Sequence, residues 1–304
     1  MSAPARLTVS CVSYLAAIHT INVVEHPKLN YGASIVSQDH YLAADGPLTA
    51  AALRAFGHDV RLAANQVADD PAGRAVRARL HQWDLPLLPG PPIPAATRTN
   101  TVICDAAGNR TGLFDLAGIA DELASVDIEA VTSADVVYLD AYEVLGQAPA
   151  PILDAALQTG IRTVINLGGS PLPDWLRATV QARRRADILQ TNGPEHDLDA
   201  VDALLRRLAA ANLADLVIVT AGRHGAWAQS AAGQRWRAAA LAVDVRQPQG
   251  AGAAFSAGLI HTWDTGQAIA ARLRFACAAG SLWCTRATSD PLPTYADVAA
   301  ALTP

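Results

Sequence analysis

A chain of 304 residues that is 51% hydrophobic and 17% charged carries enough apolar material for one large packed core or two smaller ones, which excludes a disordered polypeptide. Its formal net charge of -5 leaves no basic surplus to displace counterions from a phosphate backbone, which argues against nucleic-acid binding. The apolar stretch after Met1–Arg6 is short and broken by Ser10, Ser13 and Tyr14, too short for a leader or a spanning helix, so a cytoplasmic protein without a membrane segment is expected.

Taken in chain order, Leu7–Val12 is apolar and β-branched and reads as a strand. Leu48–Phe56 reads as a helix closed by Gly57, Val60–Ala64 as a strand and Gly73–Trp83 as an amphipathic helix. Thr99–Cys104 and Arg110–Phe114 read as two strands around a turn at 105–109. A regular rhythm then sets in. Strands are expected at Val136–Leu139, Arg162–Leu167, Ile188–Gln190 and Leu216–Thr220, and helices at Ala150–Thr159, Leu172–Arg184 and Leu198–Ala210. Ala226–Gln229 and Gln234–Arg237 read as a hairpin, two helices follow the glycine turn at 250, and a last helix is expected at Tyr295–Leu302. Repeated strand–helix alternation predicts a mainly parallel central sheet covered by helices on both faces, with ligands held at the carboxyl ends of the strands. Residues 14–42 and 86–116 break the rhythm and are expected to form a small β lid over one body spanning 1–304. The four cysteines, Cys11, Cys104, Cys277 and Cys284, are scattered and read as buried free thiols.

The segment Gly250-Ala251-Gly252-Ala253 opens a helix of small and apolar residues. Such a turn aims free backbone N–H groups and the positive end of a helix at one point, which suits a phosphate. Position 253 is Ala, so no side chain there takes a proton. Asn192–Glu195 and Thr220–Gly225 follow two of the expected strands and fall at the same end of the sheet.

Five segments in order resemble the ribokinase/PfkB family of sugar and nucleoside kinases. Asp45-Gly46-Pro47 is similar to that family's N-terminal Gly-Gly motif, Asn65–Arg74 to its Gly-x-Asp-x-x-Gly stretch, and Asn192–Glu195 to its Asn-x-x-Glu motif. Thr220–Gly225 resembles the Thr-x-Gly-x-x-Gly nucleotide loop, and Gly250–Gly258 the C-terminal signature Gly-Ala-Gly-Asp-x-Phe-x-x-Gly. The resemblance implies a ribokinase-like three-layer α/β/α sandwich and ATP-dependent phosphoryl transfer to a hydroxymethyl group, with Mg²⁺. It implies an anion hole at Gly250, Ala251, Gly252 and Ala253, a triphosphate lined by Thr220, Gly222 and Gly225 with Ala279 beside it, and Mg²⁺ organised through water by Asn192 and Glu195. It also implies pairing of two copies through lid strands.

The departures matter as much. The family's catalytic Asp falls on Ala253, and loss of a general base costs about 10²–10⁴-fold in rate. The early substrate-holding Asp falls near Ile18 or His19, Asp45 replaces the first Gly of the Gly-Gly pair, and Asn166-Leu167-Gly168 is a partial match to the Asp-x-Asn of many members. Asp45, Gly46, His19 and Asn22 are therefore the expected acceptor contacts. Two origins fit Ala253: a substitution made in a working kinase to trap a complex, or natural loss in a relative that binds a nucleotide or sugar and regulates without transfer. A dinucleotide-binding fingerprint fails at Phe255, a metal site lacks any His-x-x-x-His pair, and a Gly-x-Ser-x-Gly elbow is missing from the sequence.

Overall fold

The computed structural model describes residues 5–303 apart from 43, 91, 107–109 and 288–289, so the tip of the expected 105–109 turn lies outside the described residues. Among the described residues twelve strands run in chain order as β1 Thr8–Val12, β2 Ala17–Val23, β3 Ile35–Leu42, β4 Asp59–Ala63, β5 Thr99–Cys104, β6 Arg110–Asp115, β7 Val136–Asp140, β8 Arg162–Asn166, β9 Ala186–Asn192, β10 Ala214–Thr220, β11 Ala226–Ser230 and β12 Arg235–Ala238. Ten α-helices lie among the described residues: α1 Asp45–Ala55, α2 Pro71–Gln82, α3 Ile119–Leu123, α4 Ile128–Thr132, α5 Ala150–Thr159, α6 Asp174–Ala182, α7 Leu198–Ala210, α8 Ala251–His261, α9 Ile269–Cys284 and α10 Tyr295–Ala301.

Eight strands form the central sheet in the order β12-β11-β10-β9-β8-β7-β1-β4. From β10 to β4 every pairing is parallel, and β11 and β12 close one edge as an antiparallel hairpin. The side-chain period of two divides each strand between two cores. Val9, Val136, Tyr138, Leu216 and Ile218 pack against α1, α2, α8, α9 and α10, whereas Val12, Val137, Leu139, Val217 and Val219 pack against α3, α4, α5, α6 and α7. That division is the three-layer α/β/α sandwich expected from the alternation. Close packing of α8 on α9 needs glycine: a methyl at Gly258 would lie 2.8 Å from the Ala276 Cα, and one at Gly280 would lie 2.9 Å from the Ala251 carbonyl oxygen.

A separate four-stranded sheet, β3-β2-β5-β6, comes from the two segments that broke the rhythm. Helix α1 starts at Asp45, before the expected Leu48, because Pro47 falls in the first turn, where a missing N–H leaves no bond unmade. Helix α6 starts at Asp174, after the expected Leu172, because Pro173 is extended (φ -76°, ψ 146°). The short helices α3 and α4 were not expected at all. Among the described residues no helix is long and apolar enough to cross a membrane.

Candidate active site

The glycine turn at the head of α8 is fixed from behind. Gly250 has φ 91°, and a methyl there would lie 2.6 Å from the indole nitrogen of Trp283, whose N–H donates to the Gln249 carbonyl at 2.8 Å. Ala254 N–H reaches back to the Gly250 carbonyl at 2.9 Å, leaving the N–H groups of Gly252 and Ala253 with no partner among the described residues. A methyl on Gly252 would meet nothing within 4 Å, so one side of the helix head is open. Ser256 hydroxyl donates to the side-chain oxygen of Gln190 at 3.0 Å, which seats this helix end over the carboxyl end of β9.

The ends of β9 and β10 bring the next group together. Asn192 and Thr220 are register partners in the parallel ladder, and Gly193 N–H donates to the Thr220 carbonyl at 2.8 Å. Gly222 (φ 47°) leaves room for the Glu195 carboxylate, which any side chain at 222 would displace. Gly225 (φ 88°) lies against the backbone of 238–240 and turns the chain into β11. Asn192, Glu195, Thr220, Gly222 and Gly225 thus form one rim beside the α8 head. Among the described residues no three His, Cys, Asp or Glu converge on one point, so an ion here would be held largely through water and a ligand's own oxygens.

A cavity of about 740 Å³ lies between the second sheet and the carboxyl ends of β7 and β8. Ile18, Asn100, Val102 and Phe114 come from the second sheet, Asp45, Tyr142 and Gly168 form the floor, and Gln249 joins the cavity to the glycine turn. The floor is a buried polar network. Asp140 accepts from Ser13 hydroxyl at 2.5 Å, Gly46 N–H at 2.8 Å, Tyr138 hydroxyl at 2.9 Å and Asn166 side-chain N–H at 3.0 Å. Burial and the adjacent Asp45 push the Asp140 carboxyl up to about 7, against hydrogen bonds from Ser13, Asn166 and Tyr138 that pull it down. Asp45 Oδ2 in turn accepts from Tyr142 hydroxyl at 2.8 Å and Asn166 N–H at 3.0 Å. Gly46 admits no side chain, because a methyl there would lie 3.2 Å from the Asp140 carboxylate and closer still to Ser13.

Three residues singled out from the sequence lie elsewhere. His19 stacks on its register partner His40 (4.5 Å between centroids) and bonds Gln38 at 2.8 Å, on the face of the second sheet opposite Ile18. Asn22 donates to Ser37 hydroxyl at 3.0 Å, four residues beyond the cavity-lining Ile18. Ala279 is buried against Gly258 inside the α8–α9 contact, facing helix and not cleft. The Asn65–Arg74 stretch is built as struts. Asn65 ties both backbone groups of Leu15, and Asp70 caps α2 and accepts from Thr97 N–H at 2.8 Å. Asp140, Tyr142 and Asn100 were missed as site residues, although a lone Asp ending an otherwise apolar strand, Val-Val-Tyr-Leu-Asp, is a signal for Asp140.

A family model described as pfkB family carbohydrate kinase matches residues 49–294. The ribokinase of Arabidopsis thaliana, solved with ribose and ATP, is 18% identical with a TM-score of 0.74, over 99% of this chain and 98% of that one. A nucleoside kinase of Burkholderia thailandensis, solved with inosine, is 17% identical with a TM-score of 0.75, over 97% and 95%. The ribokinase of Cryptococcus neoformans var. grubii serotype A, solved with ADP, is 16% identical with a TM-score of 0.77, over 99% and 100%. No protein of curated function matches the chain.

Proposed function

The chain belongs to the pfkB family of carbohydrate kinases, and on that premise we propose that it binds ATP at the α8 head and directs the terminal phosphoryl group toward a hydroxymethyl group of a sugar or nucleoside. One observation carries the reading. Unpaired N–H groups at 252 and 253 sit at an open helix N-terminus, and the same turn contributes Gln249 to the wall of a cavity large enough for such an acceptor. Phosphoryl transfer is mostly positioning and charge stabilisation, and these N–H groups suit the charge that develops on the moving group. Thr220, Gly222 and Gly225 line the triphosphate, and Asn192 and Glu195 meet Mg²⁺ through water. The ion's contribution when bound is to offset phosphate charge. Asp45 faces the acceptor from the floor, Gly46 lies behind it with its N–H held by Asp140, and the second sheet is the lid.

Residue 253 offers no carboxylate, so transfer at that position lacks its proton acceptor and is slow to the extent of about 10²–10⁴-fold. The same absence favours a second reading, a nucleotide- or sugar-binding protein that regulates without transfer. Restoring the carboxylate separates them. Ala253→Asp and the unaltered chain are given MgATP with ribose, fructose, adenosine and inosine, and phosphorylated product is measured alongside nucleotide binding. Product from either protein supports the kinase, whereas nucleotide binding with no product from both supports the regulator.

A further inference from the structure

We propose that Asp45 is the group that takes the acceptor's hydroxyl proton, in the role that residue 253 cannot fill. The inference rests on the kinase reading above and adds a base to it. Asp45 is the first residue of α1 and lines the cavity floor. One turn along the same helix, Thr49 hydroxyl donates to the carbonyl of Ala253 at 3.3 Å. Residues four apart on a helix face lie about 6 Å apart, so the Asp45 carboxylate and the α8 head border the same space. A second link is Gln249, which belongs to the glycine turn and shares the cavity wall with Asp45.

The carboxylate is held as a base must be. Tyr142 and Asn166 fix Oδ2 by hydrogen bonds, while Oδ1 has no partner among the described residues. Lining the same cavity from the second sheet, Asn100 is 1% exposed, its side-chain N–H makes one long bond of 3.4 Å to Tyr14 hydroxyl, and its carbonyl oxygen has no partner among the described residues. Whichever way the amide is turned, one end of it is unmatched in the cavity wall. An unmatched buried amide and an unpartnered carboxylate oxygen, both from residues that line one cavity, call for a ligand rich in hydroxyl or N–H groups, such as a polyol ring. Backbone strain marks the same spot. Ala44, just before Asp45, has φ 79° and ψ 155°, a region that only glycine visits freely.

The step balances as follows. The acceptor oxygen forms a bond to the γ-phosphorus of ATP, its O–H bond breaks and the proton passes to Asp45 Oδ1. The bond from the γ-phosphorus to the bridging oxygen breaks, and that electron pair leaves with ADP. Asp45 then returns its proton to water.

The test uses the full chain with MgATP and water as the acceptor, so that no acceptor need be known. ADP release is measured for the unaltered protein, Asp45→Asn and Asp45→Ala, with MgADP affinity measured calorimetrically for each. Expected are a fall of tenfold or more in ADP release for both variants, MgADP affinity within threefold of the parent, and partial recovery of Asp45→Ala in added formate. Equal rates in parent and variants overturn the assignment. So does a rate loss that tracks a tenfold loss of MgADP affinity and is not recovered by formate, because that marks a structural role. Failure of the unaltered protein to bind MgADP overturns the kinase reading itself.

Discussion

His58 and His261 sit back to back in the core between α1 and α8, 2% and 3% exposed. Their protons can be placed from the bonds. Leu7 N–H donates to His58 Nδ1 at 3.1 Å, so the His58 proton is on Nε2, which donates to His261 Nδ1 at 2.9 Å. The His261 proton then falls on Nε2, a buried atom with no partner among the described residues. Both rings are neutral, and burial lowers each to about 4. Between pH 4 and 6.5 the unfolded chain binds protons that the folded one refuses, so stability rises with pH across that window, by about 3 kcal/mol per ring at the limit. Asp140 opposes it. Its folded carboxyl titrates near 7, so the folded chain holds a proton that the unfolded one has lost, and stability falls by about 4 kcal/mol as pH climbs from 4 to 7. The two rings outweigh the one carboxyl. Urea unfolding is therefore expected to show a midpoint that climbs from pH 4.5 to 6.5. In His261→Phe, which joins the Phe56, Phe275 and Tyr295 cluster, one ring's rise of about 3 kcal/mol no longer exceeds the carboxyl's fall of about 4 kcal/mol, so the climb should disappear or reverse. A parent midpoint that falls over this range would mean that the rings are already protonated in the fold.

At the scale of elements, the α8 head separates stability from function in two neighbouring glycines. Gly250→Ala forces a methyl into the Trp283 indole at a backbone angle of φ 91°, and a loss of about 2–4 kcal/mol is expected from thermal unfolding. Gly252→Ala meets no atom within 4 Å and replaces glycine in a helix, so its melting temperature should hold or rise slightly, while ATP affinity drops at least tenfold as the methyl fills the open side. A Gly252→Ala protein with unchanged ATP affinity would remove the phosphate from that position. Much of this was legible in the sequence because it is local. The parallel strands are buried on both faces and read as unbroken apolar runs, and the glycine turn carries its own geometry in Gly250-Ala251-Gly252. Strands β2 and β3 were not resolved within their segment because Ser37-Gln38-Asp39-His40 is polar throughout, as suits an edge strand on a sheet that covers a cavity. The Ser13–Asp140–Asn166–Asp45 network was illegible for a different reason. Its members are brought together from four chain segments, and only the fold shows that one carboxylate has four donors.

For the molecule as a whole, the second sheet presents two unlike faces, and the difference bears on assembly. One face closes the cavity with Ile18, Asn100 and Val102. The register places His40, His19, Thr101 and Leu113 in one row of the other face, with Gln38, Ile21, Ile103 and Thr111 in the next. Leu113 is exposed there, Ile21 and Ile103 are only partly covered, and both outer strands, β3 and β6, are sheet edges. Val24, Leu29, Tyr31, Ile35 and Val36 add exposed apolar side chains to the same region. A mixed face carrying exposed Leu113 and partly covered Ile21 and Ile103 among His and Thr side chains, bounded by two edge strands, is a surface that a second copy can cover, and covering it would stiffen the roof of the cavity. Sedimentation velocity at micromolar concentration is expected to show a dimer, and Leu113→Glu, at a position exposed enough for the fold to accept a charge, is expected to show a monomer with an unchanged far-ultraviolet spectrum. Because the lid would then lose its support but not its cavity residues, Leu113→Glu should raise KM for the acceptor several-fold and leave MgATP binding as it was. A parent protein that sediments as a monomer at every concentration would show that the second sheet holds its place over the cavity unaided.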